Sequence, residues 1–334
     1  MTVDTPPQAR RYWLLTMPRT ASNMLVRVLN LDAQGVRPAH NGGYFFFPSM
    51  LARLPIYDKP WQEWTAEDHS HVREGLEKSF DALQDHLETA EEEGQKVFVK
   101  EHISFLNEPY YEQEYAHGTV TGEESCPPGT ALARGYTHST RSSLNLTSLP
   151  DEFLKTWNPT FLIRHPALML PSLYRTATKD IEVDGMRRAR KEPYEIEATL
   201  KFVRALYDFY VNYFGKNSQW PIVLDADDVI AYPELVKKYA ALVGLDPDKL
   251  QFSWEKTSQE QLEKLRAAEK IMLGTINAST GVDKTKMAGN IDINTEAEKW
   301  RSDFGEEGGR KLERWVREAM PDYEYLHSRR LTLS

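Results

Sequence analysis

Residues 12–29, Tyr12-Trp-Leu-Leu-Thr-Met-Pro-Arg-Thr-Ala-Ser-Asn-Met-Leu-Val-Arg-Val-Leu29, leave few folds open. The apolar run from Tyr12 to Leu15 reads as a short buried strand. Pro18-Arg19 makes a turn, after which Met24, Leu25, Val28 and Leu29 recur at helical spacing across Thr20 to Leu29. A strand that turns directly into a helix puts the helix N-terminus at the carboxyl edge of a sheet. Free backbone N–H groups and the positive dipole end suit that place to a phosphate. Thr20, Ser22 and Asn23 add hydroxyl and amide groups, and Arg19 adds a permanent forked cation. An ordinary strand–helix turn with a polar cap would carry the same residues, so this stretch alone leaves both readings open.

The same grammar returns along the chain. Lys96 to His102, Pro159 to Pro166 and Trp220 to Asp225 read as three further strands. Thr65-Ala-Glu-Asp68 has capping-box character and opens a helix to about Glu93, stopped by Gly94. Further helices are expected at Leu168 to Ala177, Tyr194 to Phe214, Pro233 to Val243, Ser258 to Leu273, Thr295 to Phe304 and Glu306 to Met320. This alternation predicts an α/β fold, a three-layer sandwich with a mostly parallel central sheet flanked by helices. No boundary divides residues 1–334 into independent domains. Residues 104–150, rich in Gly, Pro, Ser, Thr and Tyr, read as a long lid or substrate-binding loop.

Composition narrows the partners. A formal net charge of −9 argues against a nucleic-acid or anionic-membrane coat, so any anion site must be a local basic cluster. The single cysteine, Cys126, excludes an internal disulfide framework and fits a reducing compartment. No stretch reaches the ~20 apolar residues of a membrane span. Met1-Thr-Val-Asp-Thr-Pro-Pro lacks a signal region, so a cytoplasmic location is expected. The sequons at Asn145 and Asn277 then read as chance matches. No His, Asp or Glu cluster has metal-ligand spacing, so no metal is expected.

Three strand ends carry charged or hydroxylic groups. Lys100 and His102 close the second strand, where His102 reads as a general base or as a solvated loop histidine. Arg164 closes the third, with Ser172 eight residues on in the following helix; the pair suits a second phosphate, and Arg164 alone equally suits a salt bridge. Asn41-Gly-Gly-Tyr-Phe-Phe-Phe-Pro48 reads as core packing or as the wall of an apolar pocket. His117, His138 and Arg141 are weaker candidates for substrate contacts, and Arg187-Arg-Ala-Arg-Lys191 reads as a solvated face.

Taken together, these motifs resemble the sulfotransferases that use 3′-phosphoadenosine 5′-phosphosulfate (PAPS). Thr16-Met-Pro-Arg-Thr-Ala-Ser-Asn23 resembles that family's 5′-phosphosulfate loop, a P-loop relative, which implies a P-loop NTPase-like sandwich. Leu162-Ile-Arg-His-Pro with Ser172 resembles its 3′-phosphate motif, and Lys100-Glu-His102 its strand-end Lys-x-His with a catalytic histidine. Val223-Leu-Asp-Ala-Asp-Asp228 matches the later strand and acidic turn, so the likeness runs from Tyr12 to about Trp315 in family order. Two departures stand out. Arg19 and Ala21 sit where the family commonly has Lys and Gly, and the third cofactor motif, Arg-Lys-Gly, has no clean match. Lys284 or Lys286 is the expected substitute, and Trp254 is expected either to stack on adenine or to be a core tryptophan.

The resemblance implies transfer of a sulfuryl group from PAPS to a hydroxyl of a small, largely apolar acceptor, leaving 3′,5′-adenosine diphosphate. Arg19, Thr20, Ala21, Ser22 and Asn23 would hold the 5′-phosphosulfate, and Arg164 and Ser172 the 3′-phosphate. Lys100 would neutralise bridging oxygens while His102 accepts the hydroxyl proton. No nucleic-acid or membrane partner is expected, and a homodimer is compatible with the chain. The alternatives are a family relative repurposed for cyclisation or elimination, a nucleotide kinase, and a non-catalytic scaffold. The kinase lacks its Gly-x-x-x-x-Gly-Lys-Ser/Thr loop here.

Overall fold

Strand periodicity sets the architecture. The computed structural model describes residues 11–118, 133–179, 182–183, 186–188 and 190–333; Cys126 lies outside them. Strands β1 (Arg11–Thr16), β2 (Val97–His102), β3 (Trp157–Ile163) and β4 (Ile222–Asp225) form an all-parallel sheet in the order β2-β1-β3-β4. Successive side chains serve opposite faces. Trp13, Leu15, Val99 and Phe161 enter one core, while Tyr12, Leu14, Phe98 and Leu162 enter the other. A parallel sheet buried on both sides demands such near-continuous apolar strands.

Helices cover both faces, as expected. Leu25 and Val28 of α1 (Ser22–Leu29) and Tyr239 of a later helix (Pro233–Leu242) close one core. Phe80 and Leu83 of the long helix Ala66–Glu92 close the other, together with residues from Pro166–Ala177, Lys201–Phe214 and Ile293–His327. The long helix starts on the expected capping box: the Asp68 N–H donates to the Thr65 hydroxyl, and the Thr65 N–H to the Asp68 carboxylate. The two C-terminal helices form one run, Ile293–His327, broken at Gly305 with φ 77°, between the two helices the sequence predicts. Among the described residues, no helix is long and apolar enough to cross a membrane.

Of the stretch 104–150 the described parts, residues 104–118 and 133–150, hold helices and fixed side-chain contacts, and the rest lies outside the described residues. Helices Ile103–Leu106 and Pro109–His117 occupy its start. Its irregular later part is tied down, because Arg134 pairs with Asp81, Asp85 and Glu88 of the long helix. Asn145 is 0% exposed, donating to the Leu149 carbonyl and the Asp151 carboxylate and accepting from the Thr147 N–H. Two members of the basic patch are paired: Arg188 joins Glu197, and Arg190 lies over the Tyr194 ring and beside Asp58, while Lys191 is exposed.

Two local devices position the site. Arg53, 1% exposed, donates to the carbonyls of Ser49, Ser104, Phe105 and Asn107 and to the Glu112 carboxylate, 2.7 Å away. It thereby fixes the chain just beyond His102. Burial pushes the Glu112 carboxyl up to about 7, with Arg53 pulling the other way. The second device is the turn from β1 to α1, where Arg19 (φ 70°) and Ala21 (φ 63°) both take left-handed backbone and the Thr20 hydroxyl donates to the Met17 carbonyl at 2.8 Å.

Arg53→Met strands Glu112 and four carbonyls, so urea unfolding should show a loss on the order of 3–5 kcal/mol. The loss should shrink at acid pH, because a protonated Glu112 needs no counter-charge and stability falls as pH rises through its raised pKa. Left-handed φ costs an L-residue roughly 1–2 kcal/mol, while glycine gives back about 0.5–1 kcal/mol in unfolded-state entropy. Ala21→Gly should therefore raise the unfolding midpoint slightly, and Ala21→Val, β-branched in the same conformation, should lower it.

Candidate active site

The order β2-β1-β3-β4 places the first crossover on one side of β1 and the last on the far side of β3. The crevice outside the carboxyl ends of β1 and β3 is therefore the topological switch point, where α/β sheets bind ligands. Register brings the candidates there: Thr16 of β1 lies opposite His102 of β2 and Leu162 of β3. The turn residues Met17 to Ala21 and the Arg164 side chain rise from these ends. Ala21 gives α1 no side-chain cap.

Three cations converge on this edge. Arg19 Nε donates to Ser172 Oγ at 2.9 Å, and its Nη1 to the Met272 carbonyl at 3.2 Å. Arg164 Nη1 donates to the Arg19 carbonyl at 3.0 Å, and its Nη2 to the Lys286 carbonyl at 2.8 Å; its Nε is enclosed with no partner. Lys100 Nζ donates to the Asn23 side-chain oxygen and lies 4.1 Å from the Tyr44 ring centroid. Residues 145 apart in sequence thus meet in one cluster. Among the described residues, no carboxylate oxygen lies within 4.0 Å of any of these three cations. Burial lowers the pKa of both arginines and brings Lys100 down to about 7, with Glu101 pulling it back up.

His102 is held neutral and oriented. It is 7% exposed, and burial, followed by the charges of Lys100 and Arg19, keeps its pKa well below 6.5. The Thr16 hydroxyl donates to the Glu101 carbonyl at 3.1 Å and lies 2.7 Å from His102 Nδ1. A hydroxyl has one proton to give. With that proton on the carbonyl, the hydroxyl accepts from Nδ1–H, and Nε2 keeps its lone pair. Tyr44 and Phe105 flank the imidazole at 4.6 and 5.1 Å between ring centroids, and Phe47 lies 5.9 Å from Phe105. An apolar cleft wall thus adjoins a neutral base.

The remaining candidates sit less centrally. The Trp254 indole donates to Ser279 Oγ at 3.1 Å and has Arg27 at 5.0 Å over its ring, so one face is already covered. Lys286 joins the cluster through its carbonyl, while its ammonium lies 3.9 Å from Asp283; Lys284 is exposed. His117, His138 and Arg141 meet Tyr57, Glu152 and Glu108 respectively. A separate cavity of about 140 Å³, lined in part by Tyr57, Gln113 and Tyr194, shares no lining residue with the cationic cluster. Thr16, Glu101 and Asp227 stand inside motifs legible in the sequence, but neither they nor Arg27 carry a role of their own there. Asp227 accepts the Ala288 N–H at 2.7 Å and so ties the segment after Lys286 to the end of β4. Strand alternation alone would have drawn Thr16 toward His102.

No protein-family model matches the chain. It is 41% identical over 338 residues to a protein named Sulfotransferase ppzF from Metarhizium rileyi (strain RCEF 4871), covering 98% of this chain and 97% of that one. It is likewise 41% identical over 345 residues to Sulfotransferase ppzF of Metarhizium majus (strain ARSEF 297), covering 99% of each. With nearly the whole of both chains matched at this identity, the chain belongs to the sulfotransferase family of enzymes.

Proposed function

We propose that this enzyme moves the sulfuryl group of PAPS to a hydroxyl of a small, largely apolar acceptor, with His102 as general base. One observation carries the proposal: Lys100 is buried and Arg19 and Arg164 are half-buried in one cluster, with no carboxylate oxygen within 4.0 Å of them among the described residues. Buried charges are ordinarily paired, so such a cluster fits an anionic ligand. The donor set suits a nucleotide bearing two phosphate groups. The unpartnered Arg164 Nε and the uncapped α1 N-terminus are free donors. Ser172 Oγ accepts from Arg19 and keeps its own proton to give.

Bound PAPS would supply a sulfuryl group whose departure leaves negative charge on a phosphate oxygen. Arg19, Lys100 and the first N–H groups of α1 are preorganised to stabilise charge at that edge. Arg164 and Ser172 hold the 3′-phosphate, and His102 Nε2 takes the acceptor's hydroxyl proton. Tyr44, Phe47 and Phe105 give the acceptor an apolar wall and exclude water. We place the reaction in the cytoplasm, with no metal. A non-transfer outcome on the same fold, cyclisation or elimination, is favoured by one point: neither the Lys284 nor the Lys286 ammonium makes a hydrogen bond to the cluster, although the family's third motif would. Mass spectrometry with labelled PAPS separates the two, because only transfer leaves sulfate on the product.

Isothermal titration should show 3′,5′-adenosine diphosphate binding to the wild type and equally to His102→Ala. That variant should lose transfer by ~100-fold or more, the share of a general base. Absence of nucleotide binding overturns the donor assignment, and full activity removes His102 from the chemistry. The pH profile gives a second check. In the free enzyme Lys100 loses its proton near 7 while His102 stays neutral at and above 6.5. Thus kcat/KM should hold at 6.5 and fall as pH rises through about 7. Lys100→Arg, always charged, should abolish the alkaline fall.

A further inference from the structure

Glu101 sits between Lys100 and His102, so strand alternation turns it to the opposite face of the sheet from both. It is 0% exposed. Its Oε1 accepts the His102 N–H at 2.9 Å, and its Oε2 accepts the Phe46 N–H at 2.9 Å. Burial pushes this carboxyl up to about 8, against the pull of those two N–H groups, of Lys100 and of the Phe45 N–H. A carboxylate kept out of water in this way is satisfied only while both backbone partners stay in place.

What it holds is the aromatic segment. Gly43, at φ 100°, lies so close to β2 that a Cβ there would come within 2.8 Å of the Lys100 carbonyl oxygen and 3.0 Å of its nitrogen. The next residue, Tyr44, touches both halves of the site. Its ring lies over the Lys100 ammonium and beside the His102 and Phe105 rings, and while burial raises the pKa of its hydroxyl, Ser22 in the first turn of α1 and the Arg19 charge pull it back down. Tyr44 is therefore the seam between the donor edge and the acceptor wall. Its placement depends on the backbone of residues 43–46, which is anchored to β2 through Gly43 and Glu101.

We propose that Glu101 is a positioning residue: its carboxylate locks the Tyr44–Phe47 segment onto β2, so that Tyr44 sits against Lys100 and His102 in a fixed geometry. The inference rests on the sulfotransferase reading above. Glu101→Gln is nearly isosteric but keeps one acceptor oxygen, so one of the two anchors must break. Gly43→Ala leaves Glu101 whole and pushes the same segment off the strand.

The test reads the His102 ring signals by NMR, assigned by their absence in His102→Ala, alongside calorimetric titration with 3′,5′-adenosine diphosphate. In both variants the His102 signals should move toward the free-imidazole position, while nucleotide stoichiometry stays at the wild-type value. With PAPS and an acceptor alcohol or phenol that the wild type turns over, kcat should fall about 10- to 100-fold, the effect of a small misplacement. A merely structural role would lower stoichiometry and turnover together. Unmoved His102 signals, full turnover or a parallel loss of stoichiometry overturns the inference, and if Glu101→Gln does not fold, Gly43→Ala decides. Failure of the wild type to bind the nucleotide instead overturns the donor assignment, and the positioning role with it.

Discussion

Positive charge with no carboxylate in contact governs this molecule. Arg19, Arg164 and Lys100 are brought together by strand ends distant in sequence, and the protein meets them with carbonyls, a hydroxyl and an amide. Each of these partners is a dipole, so the hydrogen-bonding capacity is partly met while the charge remains. The whole chain is nonetheless acidic, at −9. Electrostatic design is therefore local: surface carboxylates pair off arginines elsewhere, as around Arg134 and Arg317, and leave the switch-point crevice positive.

The surrounding scaffold serves that concentration. Two cores of alternating strand residues make the sheet rigid, and the shared register of β1, β2 and β3 sets Thr16, His102 and Arg164 at one edge. Arg53 spends its donors on the chain beyond β2, and the β1–α1 turn takes two left-handed residues, Arg19 and Ala21. Backbone held in a costly conformation beside convergent cations is typical of a ligand site.

Much of this was legible in the residues themselves. The four strands carry apolar runs that no other element explains, and Thr65-Ala-Glu-Asp68 announces its helix by capping chemistry. Lys100, His102, Arg164 and Ser172 were readable because parallel strands must end on one edge. Other features depended on partners remote in sequence. Residues 104–150 look irregular by composition, yet Arg53 supplies from outside the hydrogen bonds that seat Ile103–Leu106. Arg188 and Arg190 look solvated until Asp58, Tyr194 and Glu197 fold against them. Arg27 over Trp254 could not be anticipated, since that pair joins α1 to a loop more than 200 residues away. Ala21 shows a different limit: its identity is plain, but only the fold reveals that it sits at a positive φ where glycine would be at ease.

The buried Asn145 bears on how the protein can be made. Its amide is fully enclosed and hydrogen-bonded to Leu149 and Asp151, yet Asn145-Leu-Thr147 is a glycosylation acceptor for any chain threaded into a secretory compartment. A glycan attached before folding would have no room in the finished structure and would take one of the two amide hydrogens that Asn145 gives to Leu149 and Asp151. Recombinant production therefore calls for a host compartment without oligosaccharyl transfer, and routing through an export pathway would trap the chain short of its native fold.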